Sequence, residues 1–198
     1  MFNSKILFAG ISFILAILCF IPYLKDIFRR KTKPHIYSWL VWSILQFVGV
    51  LAIIIGGGSW GALSLGAGLF FCIFIFFVSI RYGTKNITRF DTLCLVASLI
   101  AIIIWVLQKD ATISICLITL IDFVGFLPTI RKSYADPASE TASLFFLSSI
   151  ANIFSILALT NYTISTTLYV ASLIVTNMAC ATIIFARRNI LEKTKKKN

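Results

Sequence analysis

The chain has 198 residues, 59% of them hydrophobic and 13% charged, with a mean hydropathy of +0.96 and a formal net charge of +11. Soluble domains hold about 45–50% apolar and about 25% charged residues, which this composition does not resemble. The apolar residues fall in charge-poor blocks of about 20, the length that crosses about 30 Å of hydrocarbon, so the chain has room for seven spans and short loops but no soluble domain.

In chain order, the apolar blocks predict a first segment at about 5–25, a second at 36–56, a third at 60–81, a fourth at 91–108, a fifth at 111–131, a sixth at 141–160 and a seventh at 164–187. Gly56, Gly57 and Gly58 separate the second from the third, Asp110 the fourth from the fifth, and Asn161 begins the last turn. Lysines and arginines follow the first segment (Lys25, Arg29, Arg30, Lys31, Lys33), the third (Arg81, Lys85, Arg89), the fifth (Arg131, Lys132) and the seventh (Arg187, Arg188, Lys193, Lys195, Lys196, Lys197). Only Lys5 and Lys109 lie on the other side. The positive-inside rule then puts the N-terminus outside and the C-terminus in the cytoplasm of a multi-pass cell-membrane protein. The charge is a topology signal, not a nucleic-acid patch. Compact loops favour a bacterial inner membrane, and the basic tail suits anionic lipid headgroups at about 1 kcal/mol per residue.

No G-x-x-x-x-G-K-[ST] cradle for a nucleotide phosphate occurs, so any transport is expected to run on gradients. Cys19, Cys72, Cys94, Cys116 and Cys180 all fall in apolar segments without C-x-x-C spacing, and His35 is the one histidine. Neither a disulfide framework nor a metal site or cofactor is expected, and His35 reads as a cytoplasmic loop residue. Trp39, Trp60, Trp105 and Tyr162 read as an interfacial aromatic belt, and Phe70, Phe71, Phe74, Phe76 and Phe77 as a lipid-facing and packing surface.

A shift of 106 residues lays segments 1–3 on segments 5–7 without a gap. Phe20-Ile-Pro22 meets Phe126-Leu-Pro128, Ser43-Ile44 meets Ser149-Ile150, Gln46 meets Asn152 and Arg81 meets Arg187. Identities are few, but the matches include the rare residues: the two prolines of apolar segments coincide, and the central amides Gln46 and Asn152 fall opposite each other. The expected fold is therefore an all-α membrane protein with a first three-helix repeat (1–83), a linker helix (84–109), a second repeat (110–189) and a basic tail (190–198). Three helices plus one make the two bundles run parallel, with a substrate site near the midplane between them.

Two three-helix units, each with a proline near the cytoplasmic end of its first helix and a basic loop after it (Pro22-Tyr-Leu-Lys-Asp-Ile-Phe-Arg-Arg-Lys-Thr and Pro128-Thr-Ile-Arg-Lys-Ser), resemble the SWEET and PQ-loop transporter superfamily. The resemblance spans about residues 5–189 and departs at Tyr23 and Thr129, where that family carries glutamine after the proline. It implies a carrier that moves a small polar solute, such as a sugar, amino acid, nucleoside or vitamin, by alternating access. It also implies a binding role for Asn177, which matches a seventh-helix asparagine, although its repeat mate is Phe71.

The residues themselves point to further candidates. Asp122 lies nine residues before Arg131, about 13 Å along a helix, and so near mid-bilayer. A charge there costs about 2.5–3.5 kcal/mol, so it is expected to face a polar cavity and to bind solute or carry a proton. Ser148, Asn152 and Ser155 share one helix face, as do Ser38, Trp42 and Gln46, and the two stripes are repeat mates. Trp42 offers a flat surface, and the two amides fix orientation. The alternative use of these polar residues is hydrogen bonding between helices. Pro22 and Pro128 cannot donate to the carbonyls of Leu18 and Val124 and are expected to act as hinges. One midplane acid without a histidine, metal or nucleophile partner is a poor catalytic set, so no enzyme is expected. A non-transporting receptor or scaffold of the same fold, proton coupling and a homo-oligomer all stay open at this level.

Overall fold

The computed structural model of the chain describes residues 4–55, 57, 60, 62–107 and 111–195. The predicted breakers Gly56, Gly58 and Asp110 lie outside the described residues, as do Lys109, Lys196 and Lys197. The described residues are helical apart from short connections: α1 (Ser4–Leu18), α2 (Phe20–Phe28), α3 (Ile36–Ile55), α4 (Ala62–Tyr82), α5 (Arg89–Leu107), α6 (Ala111–Ala135), α7 (Ala142–Ala158) and α8 (Ile164–Lys195), with a 3₁₀ turn at Pro137–Ser139.

Among the described residues, five helical stretches are long and apolar enough to cross a membrane: Ser4–Phe28, Ile36–Ile55, Ala62–Tyr82, Arg89–Leu107 and Thr166–Thr194. Apolar α7 is shorter, with 17 residues, or about 26 Å. α6 has 25 residues and carries Asp122 and Pro128. Large apolar side chains such as Phe70, Phe77, Leu93, Ile103 and Val175 lie exposed on the outside of the bundle. A coat of this kind suits hydrocarbon and is rarely so extensive on a soluble monomer.

Two boundaries differ from the sequence expectation for a physical reason. α6 runs on to Ala135 and α8 to Lys195, past the expected ends at 131 and 187, because lysine and arginine are good helix formers. Hydropathy marks the depth of the apolar block, not where backbone hydrogen bonding stops. The first span is interrupted at Cys19, and α2 restarts at Phe20, two residues before Pro22. The missing N–H of that proline leaves the Leu18 carbonyl without its helical donor. α6 continues through Pro128 without a break.

α4 packs against both α1 and α3, while α8 packs against both α6 and α7. Among the described residues no Cα pair within 8 Å joins α1 with α3, or α6 with α7. Between these groups α1 meets α7, α3 meets α6, and α5 lies against α6 and α3. At one end of the bundle the connections interlock: Lys33 N–H donates to Ser139 O (3.0 Å) and Thr84 N–H to Pro34 O (3.0 Å). Arg188 Nε donates there to Pro137 O (3.0 Å). At the other end Lys5 Nζ donates to Leu157 O (2.9 Å) and Tyr162 Oη (2.7 Å), and Thr160 Oγ1 to Gly57 O (2.7 Å). The apolar interior forms two clusters, one around Tyr23, Trp39, Phe126 and Phe145, the other around Leu45, Leu65, Ile118 and Tyr169.

Candidate functional site

Where the two clusters meet, six helical segments leave a cavity of about 70 Å³, room for several waters. Its wall is built from Ala16, Cys19 and Phe20 at the α1–α2 break, and from Trp39, Trp42 and Gln46 on α3. α4 adds Ser64, Leu65, Gly68 and Cys72, and α6 adds Asp122 and Phe126. α7 brings Leu144, Phe145, Ser148, Ala151 and Asn152, and α8 brings Tyr169, Leu173 and Asn177. None of these residues comes from α5. The six residues expected to bind substrate, Trp42, Gln46, Asp122, Ser148, Asn152 and Asn177, thus line one space.

Helical periodicity explains the convergence on each element. Trp39, Trp42 and Gln46 recur at spacings of three and four, as do Leu144, Phe145, Ser148 and Asn152, so each set projects from one face. The outer members of the two expected stripes fall elsewhere: Ser38 accepts a hydrogen bond from Thr129 Oγ1 (3.0 Å), and Ser155 is buried outside the cavity wall. Polarity alone could not tell a helix-to-helix bond from a cavity-lining group.

Asp122 is fully buried. Its Oδ2 is 3.5 Å from Thr176 Oγ1, while Oδ1 has no hydrogen-bond partner among the described residues. Trp42 Nε1 and Gln46 Oε1 are likewise buried without a partner. The two asparagines each donate from Nδ2 to the carbonyl four residues back, Asn152 to Ser148 O (2.8 Å) and Asn177 to Leu173 O (2.8 Å). That bond fixes each amide against its own helix and leaves the amide oxygen to accept. Ser148 Oγ donates weakly to Cys19 Sγ (3.5 Å). Unpaired buried donors and acceptors are costly, at about 1–3 kcal/mol each, and in native proteins they mark places where water or a ligand completes the set.

Apart from Trp42, sequence reasoning missed the aromatic part of the wall. Trp39, expected in an interfacial belt, is 2% exposed and meets Trp42 edge-on (5.1 Å between ring centroids). Trp60 and Tyr162, by contrast, lie exposed. Phe126 packs on Trp42 (4.6 Å) and Phe145 on Phe126 (6.3 Å). Phe71, the repeat mate of Asn177, turns inward and stacks on Phe20 (4.4 Å), whereas Phe70 and Phe77 face outward. Phe145 could have been found, because it is the repeat mate of Trp39 at the 106-residue shift.

A second polar assembly sits at the interlocked end of the bundle. His35 is completely buried, with Nε2 3.3 Å from Asp91 Oδ2 but without the alignment of a hydrogen bond. His35 does lie in the connection before α3, as the sequence leads one to expect, but it is buried there, and Asp91, 56 positions away in the chain, is brought against it. Asp91 also accepts two hydrogen bonds from Arg131, Nε to Oδ1 (2.8 Å) and Nη2 to Oδ2 (2.7 Å). Thr88 and Asp91 form a reciprocal cap at the start of α5, Thr88 N–H to Oδ2 (2.7 Å) and Asp91 N–H to Thr88 Oγ1 (3.3 Å). Lys132 is ion-paired with buried Glu140 and donates to Lys33 O (2.7 Å). Burial holds His35 below its ordinary pKa, Lys132 and Arg131 push the same way, and Asp91 opposes them.

No group of three or more metal-ligating side chains occurs among the described residues. Compared with known proteins, the chain matches no family model, no curated protein and no solved structure.

Proposed function

We propose that the chain is a membrane carrier for a small polar solute, built as two parallel three-helix repeats that rock against each other on the plan of the SWEET and PQ-loop transporters. One observation carries the reading: the cavity is lined by five pairs of repeat mates, Ala16 with Asp122, Phe20 with Phe126, Trp39 with Phe145, Trp42 with Ser148 and Gln46 with Asn152. A site between two halves, furnished by the same positions of each, is what alternating access around a fixed midplane site needs. The helix contacts support it, since exchanging the halves turns α1 against α7 into α6 against α3 and keeps the third helix of each half in the middle.

In this reading α5 is the connector that makes the repeats parallel, and the end holding Lys33, Arg131, Lys132, Arg187 and Arg188 faces the cytoplasm. Asp122 binds the solute or carries a coupling proton, the amides of Gln46, Asn152 and Asn177 orient the solute, and Pro22 and Pro128 are the hinges. The outer faces of the helices meet lipid.

The test is thermal stability of the detergent-purified protein against sugars, amino acids, nucleosides and vitamins, followed by counterflow in liposomes. A ligand at 100 times its Kd stabilises by about 2.7 kcal/mol. Asn177→Ala and Asn152→Ala are each expected to weaken the hit about tenfold; unaffected uptake in both variants moves the site elsewhere. Saturable binding without counterflow refutes a carrier and leaves a receptor of the same fold.

A further inference from the structure

The cavity contains an acid with nothing to balance it. Asp122 is fully buried and lies in none of the ion pairs found among the described residues. Among the described residues the cavity wall includes no lysine, arginine or histidine. The half-buried Arg131 and the buried Lys132 are committed to Asp91 and Glu140 at the end of the bundle. A carboxylate held in so apolar a place needs a positive charge or a proton beside it.

The rest of the wall indicates which of these it takes. Trp39, Trp42, Phe126 and Phe145 form a continuous aromatic surface at ring separations of 4.6–6.5 Å. Aromatic faces attract organic cations, the more so when both are removed from water. A proton on Asp122 would neutralise the charge but leave Trp42 Nε1 and Gln46 Oε1 buried and unpaired. A cation bearing a hydroxyl group completes all three, its oxygen accepting from Trp42 Nε1 and its O–H donating to Gln46 Oε1.

We infer that the solute of this cavity is a small monovalent organic cation, an alkylammonium or pyridinium with one polar substituent, whose charge lies between Asp122 and the aromatic wall. Trp42 Nε1 and Gln46 Oε1 take the polar substituent. Anions and phosphate esters are rejected by Asp122, and a neutral sugar leaves the carboxylate unbalanced. This deepens the carrier reading and rests on it for the direction of use, but the site can be tested apart from transport.

The test compares equilibrium binding of choline with its uncharged carbon isostere 3,3-dimethylbutan-1-ol, and of N-methylpyridinium with pyridine at about pH 8. Tryptophan fluorescence of the full-length protein in detergent reads the binding. Each cation is expected to bind at least about tenfold tighter than its neutral counterpart, the scale of one desolvated cation–π contact. In Asp122→Asn the preference should fall below about threefold while the neutral compounds bind as before, and Asp122→Glu should retain part of it. Equal binding of cation and neutral isostere by the wild-type protein overturns the proposal, as does the absence of cation binding at about 10 mM, and neither result depends on how the variants fold. A cation that binds with this preference yet shows no counterflow in liposomes keeps the cation site and refutes the carrier.

Discussion

Replacing Arg131 by alanine removes two charge-assisted hydrogen bonds from a carboxylate, Asp91, that has no exposure to solvent. Its remaining partners are the Thr88 amide at 2.7 Å and the poorly aligned His35 at 3.3 Å. Breaking a buried pair from one side costs about 3–5 kcal/mol. The Arg131 side chain is 26% exposed, so part of its charge is screened, and we expect a loss of about 2–3 kcal/mol. Arg131→Lys keeps the charge but not the fork, and should lose about half as much. Thermal unfolding in detergent, as a cycle with Asp91→Asn, should give a coupling of about 1.5 kcal/mol or more. A single-variant loss within about 0.5 kcal/mol of zero, or no coupling, refutes the reasoning.

The same cluster fixes the sign of a pH dependence. His35 has its folded-state pKa below the ordinary value near 6.5, so the folded protein binds fewer protons than the unfolded chain. Its contribution to stability is fully present above that ordinary value and is lost as pH falls through it. In Arg131→Ala the Asp91 charge is left for His35 to meet, so the acid loss should shrink. A wild-type protein that becomes more stable between about pH 7 and pH 5.5, with His35→Gln abolishing the gain, contradicts this account.

Two glycines separate fold from site. A Cβ on Gly49 would lie 2.6 Å from Tyr169 Cε1 and 3.0 Å from Leu65 Cδ2, both buried, so Gly49→Ala should destabilise by about 1–3 kcal/mol. A Cβ on Gly68 would lie 2.7 Å from Gln46 Nε2, the free end of a flexible side chain. Gly68→Ala should therefore leave thermal stability within about 1 kcal/mol while weakening ligand binding about tenfold, and unchanged binding would remove Gln46 from the site. The double variant Pro22→Ala/Pro128→Ala is expected to slow liposome exchange while retaining binding, and transport at the wild-type rate makes hinging unnecessary. Asp122→Asn also separates the two roles of the carboxylate: pH-driven uptake that persists in this variant dismisses proton coupling at Asp122, and its loss together with the cation preference is expected if one group serves both.

The primary structure by itself determined the helices, because charge-poor blocks of about 20 residues leave the backbone one way to satisfy its hydrogen bonds in an apolar setting. It also shows that the rare residues Pro22 and Pro128, and Gln46 and Asn152, coincide at one shift of 106 residues. Through that correspondence Trp42, Gln46, Ser148 and Asn152 were legible as facing stripes before any helix was packed. Only the tertiary structure decided which stripe members reach the cavity, sending Ser38 to Thr129 and bringing Trp39 inward from its expected belt. It alone assembled His35, Asp91 and Arg131, which are 56 and 40 positions apart in turn. Helical periodicity fixes the face of a residue, but its partner is set by how the helices cross and where their ends meet.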